Sequence, residues 1–435
     1  MNQNKFLSLL QTRRFLPLFI CQFCSALKNN FLRTILVAII TFKSSEISDF
    51  WRSIFVSLSF GISTLPYVIF SATAGELADK YDKSKIIQII KSLDFLFVFI
   101  IILGIYTNNY ALTLFSAFLT GFEAAALGPV KYSILPEQLT KDELLPANSL
   151  IEASTFLAIL FGIILGGMLY GGSNIWIFGF LILISIVGYF ASKLIPSTIS
   201  VSPNLQIGKN IFKQSFNIVK AAKNDSHIFK LIIIISWFWL AGGIFLGQLP
   251  NFVKDVLKSD QTVFMLLLTI FTSGIAVGSL ICYKISNIGM KHSLGALLAS
   301  SVVTAILWYF SNNFNYTNLS SLMTFSEFIS HRSSWLVGLA MFFIAIFWGM
   351  FIVPIYVLLQ KRSKNEERSR MIAANNIINS IFIVAGSLSS TFLIWFGFYI
   401  QDIFLIIAIA NLYISWYGFS LTSANIENPS LKSVG

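Results

Sequence analysis

The chain has 435 residues, of which 56% are hydrophobic and 11% charged, and its mean hydropathy is +0.76. A soluble domain carries about a quarter charged residues, so this balance excludes a soluble globular protein. The formal charge of +11 admits a nucleic-acid binder on composition alone, but the bases gather at the ends of apolar runs, which points to topology instead.

In chain order, Met1 to Arg14 is polar and ends in Arg13-Arg14 before an apolar run. No small-residue cleavage site follows, so this reads as the lead into an uncleaved first span and not as an export signal. Crossing a bilayer takes roughly 20 residues at a rise of 1.5 Å each. Runs of that order are Phe15–Phe42, Ser53–Gly75, Ile86–Tyr106, Ala111–Leu135, Asn148–Tyr170 and Ile175–Leu194, then Leu231–Val253, Val263–Ile285, Ser293–Phe310, Trp335–Leu359, Met371–Phe396 and Ile400–Leu421. An all-α membrane protein with about twelve transmembrane helices is therefore expected. Cys21 and Cys24 form a CxxC, but at helical spacing inside the first span they read as small packed hydrophobes, like Cys282. His227, His292 and His331 are too scattered for a metal site, and no cofactor is expected.

Lysine and arginine collect in cytoplasmic loops. With the amino terminus inside, 23 of the 30 fall in cytoplasmic loops or span ends, five outside (Lys43, Arg52, Lys254, Lys258 and Arg332), and two within the first span. The split puts both termini in the cytoplasm and accounts for the net charge without nucleic acid. The polar, basic stretch Pro196 to Lys230 reads as a cytoplasmic linker (196–230) between a first half, 1–195, and a second half, 231–435, and Ser311–Ser334 as a long outside loop. The halves repeat. Pro129 precedes Asn148 by 19 residues and Pro354 precedes Asn375 by 21, the two motifs being 225 to 227 residues apart. Two six-helix halves in parallel repeat across a basic linker indicate the major facilitator architecture.

The link after the second span, Gly75-Glu76-Leu77-Ala78-Asp79-Lys80-Tyr81-Asp82-Lys83-Ser84-Lys85, resembles the major facilitator loop signature. Gly75 permits close helix approach, and Asp79 can accept hydrogen bonds from bases or from the amino terminus of a neighbouring helix. That reads as a gate, with Lys80, Lys83, Lys131, Arg368 and Arg370 as its bases; the bland alternative is that the bases only obey the positive-inside rule. The equivalent link, Gly278 to Lys284, keeps a glycine and a base and lacks the acid.

A narrower resemblance rests on Gly128-Pro129-Val130-Lys131-Tyr132-Ser133-Ile134-Leu135-Pro136, Asn148-Ser149-Leu150-Ile151-Glu152-Ala153-Ser154, Ile352-Val353-Pro354-Ile355-Tyr356 and Glu367-Arg368-Ser369-Arg370-Met371 through Asn376. Together these segments resemble the lysophospholipid transporter family, whose module also forms the membrane half of acyltransferase fusions. The resemblance implies inward movement of lysophospholipid, chiefly lysophosphatidylethanolamine, across a bacterial inner membrane, with a separate acyltransferase as partner. Where the family commonly has an acid in the first span, this chain has Asn29 between Lys28 and Asn30. The seventh span, Ser236 to Gln248, is uncharged.

Charges inside spans are expensive and mark sites. Lys28 lies about halfway along the first span and Glu123 about halfway along the fourth. In this architecture both helices line the central cavity, so the two are expected to meet. Lys28, Asn29, Asn30, Arg33 and Glu123 form the candidate substrate set, the bases engaging a phosphodiester while Glu123 balances Lys28 or receives an amine. The alternatives are a structural ion pair, and an Arg33 that snorkels to the interface. Ser149 and Glu152 read as a capping box, and Asn148 and Asn375 as satisfying backbone at equivalent helix starts. Trp237-Phe238-Trp239 either line an acyl-chain path or face lipid. A transporter of another amphiphile or drug is the alternative function. An enzyme is not expected: acyltransferase chemistry needs a histidine with an aspartate five residues on, and none of the three has one.

Overall fold

The computed structural model describes residues 8–39, 49–170, 172–208, 210–284, 289–314 and 322–422. Twelve long helices occupy these residues, one for each expected span. They are α1 (Leu16–Ala38), α2 (Asp49–Lys80), α3 (Lys83–Tyr106), α4 (Tyr110–Gln138), α5 (Leu144–Leu169) and α6 (Asn174–Leu194), then α8 (Ser226–Asn251), α9 (Gln261–Lys284), α10 (Met290–Asn312), α12 (Arg332–Arg362), α13 (Arg368–Trp395) and α14 (Ile400–Thr422). Between them lie two shorter helices, α7 (Ile211–Asn224) in the linker and α11 (Phe325–Ser330) in the late loop. Ten of the twelve are long and apolar enough to cross a membrane by themselves. The other two are α1, which carries Lys28, Asn29, Asn30 and Arg33 in its middle, and α2. The end of the expected first span, residues 40–42, and residues 315–321 of the late loop lie outside the described residues.

Helix boundaries differ from expectation where polar residues continue a helix beyond its apolar stretch. Helix α2 runs on to Lys80, so Gly75 and Asp79 sit in its last two turns and only Tyr81 and Asp82 form the link to α3. Asp82 caps α3 by accepting the Ser84 N–H at 2.9 Å. Helix α5 begins at Leu144, so Ser149 and Glu152 lie inside it and form no capping box. The Ser149 hydroxyl is buried without a hydrogen-bond partner among the described residues. Asn375 likewise sits well inside α13, fully buried, with neither amide atom partnered among those residues.

The chain forms two compact units. The first holds the described parts of Met1–Ala147, Leu157–Ile228 and Leu359–Ser380; the second holds Asn148–Phe156, Phe229–Leu358 and the described part of Ile381–Gly435. The first is centred on Phe31, Leu32 and Ile35 of α1, packed on Val98 and Ile101 of α3 and on Leu181 of α6. Helix α1 also meets α5 through Gly162 and Gly166. A Cβ on Gly162 would lie 2.8 Å from the Leu27 carbonyl and from the Phe31 nitrogen, so the two backbones touch only because the side chain is absent. The amino-terminal arginines tie down helix ends: Arg13 donates to the Leu194 carbonyl at 3.2 Å, and Arg14 pairs with Glu143 at 3.1 Å.

The second unit is held by a ring network around Phe245, which stacks on Phe404 with ring centroids 4.1 Å apart and makes a T-shaped contact with Trp348 at 5.0 Å between centroids. Phe238 is buried within the same unit against Phe156 and Trp348. Trp237 donates to Asn411 Oδ1 at 2.7 Å and Trp239 to the Tyr356 hydroxyl at 2.9 Å, so both indoles are anchored to protein.

Candidate functional site

The end of α2 that carries the gate motif is locked to α13. Asp79 is fully buried, and its Oδ1 accepts the Ser369 N–H at 3.0 Å. Its Oδ2 accepts the Arg370 backbone N–H at 3.3 Å and the Arg370 Nε–H at 3.0 Å. Ser369 and Arg370 open α13, so Asp79 caps that helix from outside it, placing a carboxylate where the helix dipole is positive. Gly75, one turn earlier, permits the approach: a Cβ there would sit 2.8 Å from Ala373 Cβ and 2.9 Å from the Ser369 carbonyl. Ser133 of α4 adds a hydroxyl contact to Ser369 at 2.9 Å. This latch joins residues from both halves of the sequence inside one compact unit.

The expected gate bases separate into four roles. Arg370 bonds Asp79, and it also donates to the Glu366 carbonyl at 2.7 Å. Arg368 donates to the Gln360 carbonyl at 2.9 Å, capping the end of α12, and fully buried Lys83 pairs with Glu137 at 2.6 Å. Lys80 and Lys131 stand over the rings of Tyr81 and Tyr132, at 5.7 and 4.7 Å from their centroids. The linker runs across the same end. Asp82 Oδ1 accepts the Thr198 N–H at 3.0 Å, and Ser202 bonds both the Asp79 carbonyl and the Glu366 carbonyl, each at 2.9 Å. Burial works against the Asp82 carboxylate, but the hydrogen bonds from Thr198 and Ser84 outweigh it and hold its pKa below the usual range.

Deeper in the same unit, Lys28 and Glu123 meet, as expected, and two further charges join them. Helix α1 supplies Ser25 and Lys28, α3 supplies Lys91 and Asp94, and α4 supplies Glu123, none more than 4% exposed. Lys28 Nζ donates to Glu123 Oε2 at 2.5 Å and to Asp94 Oδ1; Lys91 Nζ donates to Glu123 Oε1 at 2.5 Å and to the Ser25 hydroxyl. Two bases and two acids thus form a neutral cluster spanning three helices, each charge meeting an opposite one. Both Glu123 oxygens are taken by lysines, which leaves neither for a substrate amine while the cluster is intact. Lys91 and Asp94 went unrecognised in the sequence because Lys91 follows Lys83 and Lys85 and reads as one more base at the entrance to a span. The available signal was their i, i+3 spacing inside an apolar run, which puts both on one helix face.

The remaining candidates sit one face over on α1. Asn30 donates back to the Ala26 carbonyl at 2.8 Å and packs against Gly162, a helix-packing role. Asn29 is half-buried and its Oδ1 has no partner among the described residues. Arg33, one turn on from Asn29, is exposed.

A family profile describing the Major Facilitator Superfamily matches residues 18–387, so the chain belongs to that superfamily and is a multi-pass membrane transporter rather than an enzyme. Within it, the chain is similar to proteins named lysophospholipid transporter LplT. It is 28% identical over 377 residues to that of Photorhabdus laumondii, with 84% of each chain covered, and 26% identical to that of an Enterobacter species, with 79% of each covered. The fold matches the human organic anion transporter MFSD10, with a TM-score of 0.77 at 10% identity over 93% of this chain and 99% of that one.

Proposed function

We propose that this protein moves lysophospholipid, lysophosphatidylethanolamine foremost, across a bacterial inner membrane toward the cytoplasmic leaflet by alternating access. The observation that carries the reading is Arg33, an exposed base in the middle of a long helix, in a chain similar to lysophospholipid transporters. A guanidinium binds a phosphodiester through two parallel hydrogen bonds, and the Asn29 amide one turn away supplies a further polar contact. Lys28 and Glu123 act from the sealed cluster, fixing the face that α1 presents. The basic split of the loops supports cytoplasmic termini, linker and latch. A separate acyltransferase consumes the delivered lipid.

The test is headgroup-resolved uptake by proteoliposomes. Lysophosphatidylethanolamine should enter faster than a neutral lysolipid analogue lacking phosphate. Arg33→Gln should cut uptake by roughly tenfold or more, the worth of a charge-assisted hydrogen bond, while leaving the folded yield unchanged. Uptake no faster than in empty liposomes would refute the reading. Entry of the phosphate-free analogue at the same rate would favour a transporter of other amphiphiles.

A further inference from the structure

Helix α7, in the linker, has two opposed faces. Gln214, Ser215, Ile218 and Ala222 are buried. Gln214 donates to Glu76 Oε2 at 2.9 Å and accepts from Thr73 at 2.8 Å, and Ser215 donates to the Val68 carbonyl at 2.8 Å. The helix is therefore fixed along α2 over the turns from Val68 to Glu76, where the apolar run of that helix gives way at Gly75 to its polar end. A helix held at that apolar-to-polar transition lies at the margin of a bilayer, where amphipathic helices bind.

The opposite face is open and unusual in content. Phe212 is 70% exposed and Phe216, one turn on, is 69% exposed. Lys213, Lys220 and Lys223 are exposed beside them, all five falling within an arc of about 100° at 3.6 residues per turn. Two phenylalanines facing water would be costly. Three lysines facing hydrocarbon would be costlier still. One environment satisfies both: the headgroup layer of a membrane, where rings reach the acyl boundary and ammonium groups stay among the phosphates.

We infer that α7 is an interfacial helix whose Phe212–Lys223 face binds the anionic lipid surface of the membrane that the protein spans. The occupant is set by charge complementarity, since the face carries bases and no acid, and by the depth at which the inner face is bolted to α2. Its anchor at Glu76 lies between Gly75 and Asp79, so lipid bound to α7 bears on the helix that carries the latch.

Hydrogen exchange of the residue 211–224 amides tests this in the full-length protein, in nanodiscs of phosphatidylcholine alone or mixed with phosphatidylglycerol. Exchange should be slower in the anionic discs by up to about fivefold for each lysine engaged, and the difference should shrink with added salt. Lys213→Gln with Lys220→Gln and Lys223→Gln should abolish the lipid dependence; these side chains are exposed, so folding is not at stake. Phe212→Ser with Phe216→Ser should speed exchange in both lipids. Equal exchange of the parent chain in the two discs would overturn the inference, as would lipid dependence that survives loss of the lysines. Neither result bears on which substrate is transported.

Discussion

Glu123 is the residue on which the buried cluster turns, because each of its oxygens holds a different lysine. Removing one partner from a buried ion pair typically costs about 3–5 kcal/mol, since the other charge stays behind without compensation. Glu123→Gln should therefore lower thermal stability in detergent sharply. Rescue should depend on which lysine goes with it. Lys91→Met with Glu123→Gln leaves the Lys28–Asp94 pair intact and should recover most of the loss. Lys28→Met with Glu123→Gln strands Lys91 and Asp94, each deprived of the charge it faced, and should recover less. Equal rescue by both doubles would mean that net charge, not pairing, sets the stability. The Lys28–Glu123 contact was legible in the sequence because each is an isolated charge in an apolar run. The pattern of rescue was not, because Lys91 is camouflaged by the bases that precede it.

At the scale of elements, hydropathy located every long helix, and its failures are polar helix ends. Nothing in composition separates the last turns of α2 from a loop; tertiary bonds to α13 and the linker extend that helix. Gly162 is the opposite case, an unremarkable residue in an apolar run that lets α1 lie against α5. Gly162→Ala should destabilise by about 1–3 kcal/mol, because the methyl meets fixed backbone at 2.8 Å and not a side chain that can swing away. Thermal unfolding measures it, and a change within error would show that the helices can part without cost. Asp82 makes a second element-level prediction, on pH. Its carboxyl is held below its ordinary pKa, so the stabilisation exists above the unfolded value of about 4 and disappears as pH falls through the folded value. Asp82→Asn should lower the unfolding temperature at pH 7, and the gap to the parent chain should close below about pH 4. A gap that persists in acid would assign the effect to geometry and not to charge.

For the molecule as a whole, we propose that transport requires the latch to release: Asp79 ties the start of α13 to α2, and the Ser369–Ser133 hydroxyl contact ties it to α4. The sequence motif announced Gly75 and Asp79 but not the form of the contact, since the capped helix lies some 290 residues away. Two backbone N–H bonds and one guanidinium bond converge on Asp79. Asp79→Asn keeps one acceptor for the Ser369 N–H and loses the charge that faces both the helix terminus and Arg370. A conformational bias of about 1–3 kcal/mol, or 5–150-fold in the closed-to-open ratio, is the expected scale. Arg370→Gln removes only the guanidinium bond and leaves the cap in place, so its effect should be smaller. The opening can be read with a thiol reagent on a Ser202→Cys background, because Ser202 bridges the latch at the Asp79 and Glu366 carbonyls. The native Cys21, Cys24 and Cys282 are buried and should stay silent. Labelling should quicken in the order parent, Arg370→Gln, Asp79→Asn, with uptake per folded protein falling in the same order. Arg370→Gln as strong as Asp79→Asn would make the ion pair the latch and the cap incidental. Unchanged labelling in both would show that the α13 start stays docked through the cycle, and the gate would have to lie elsewhere.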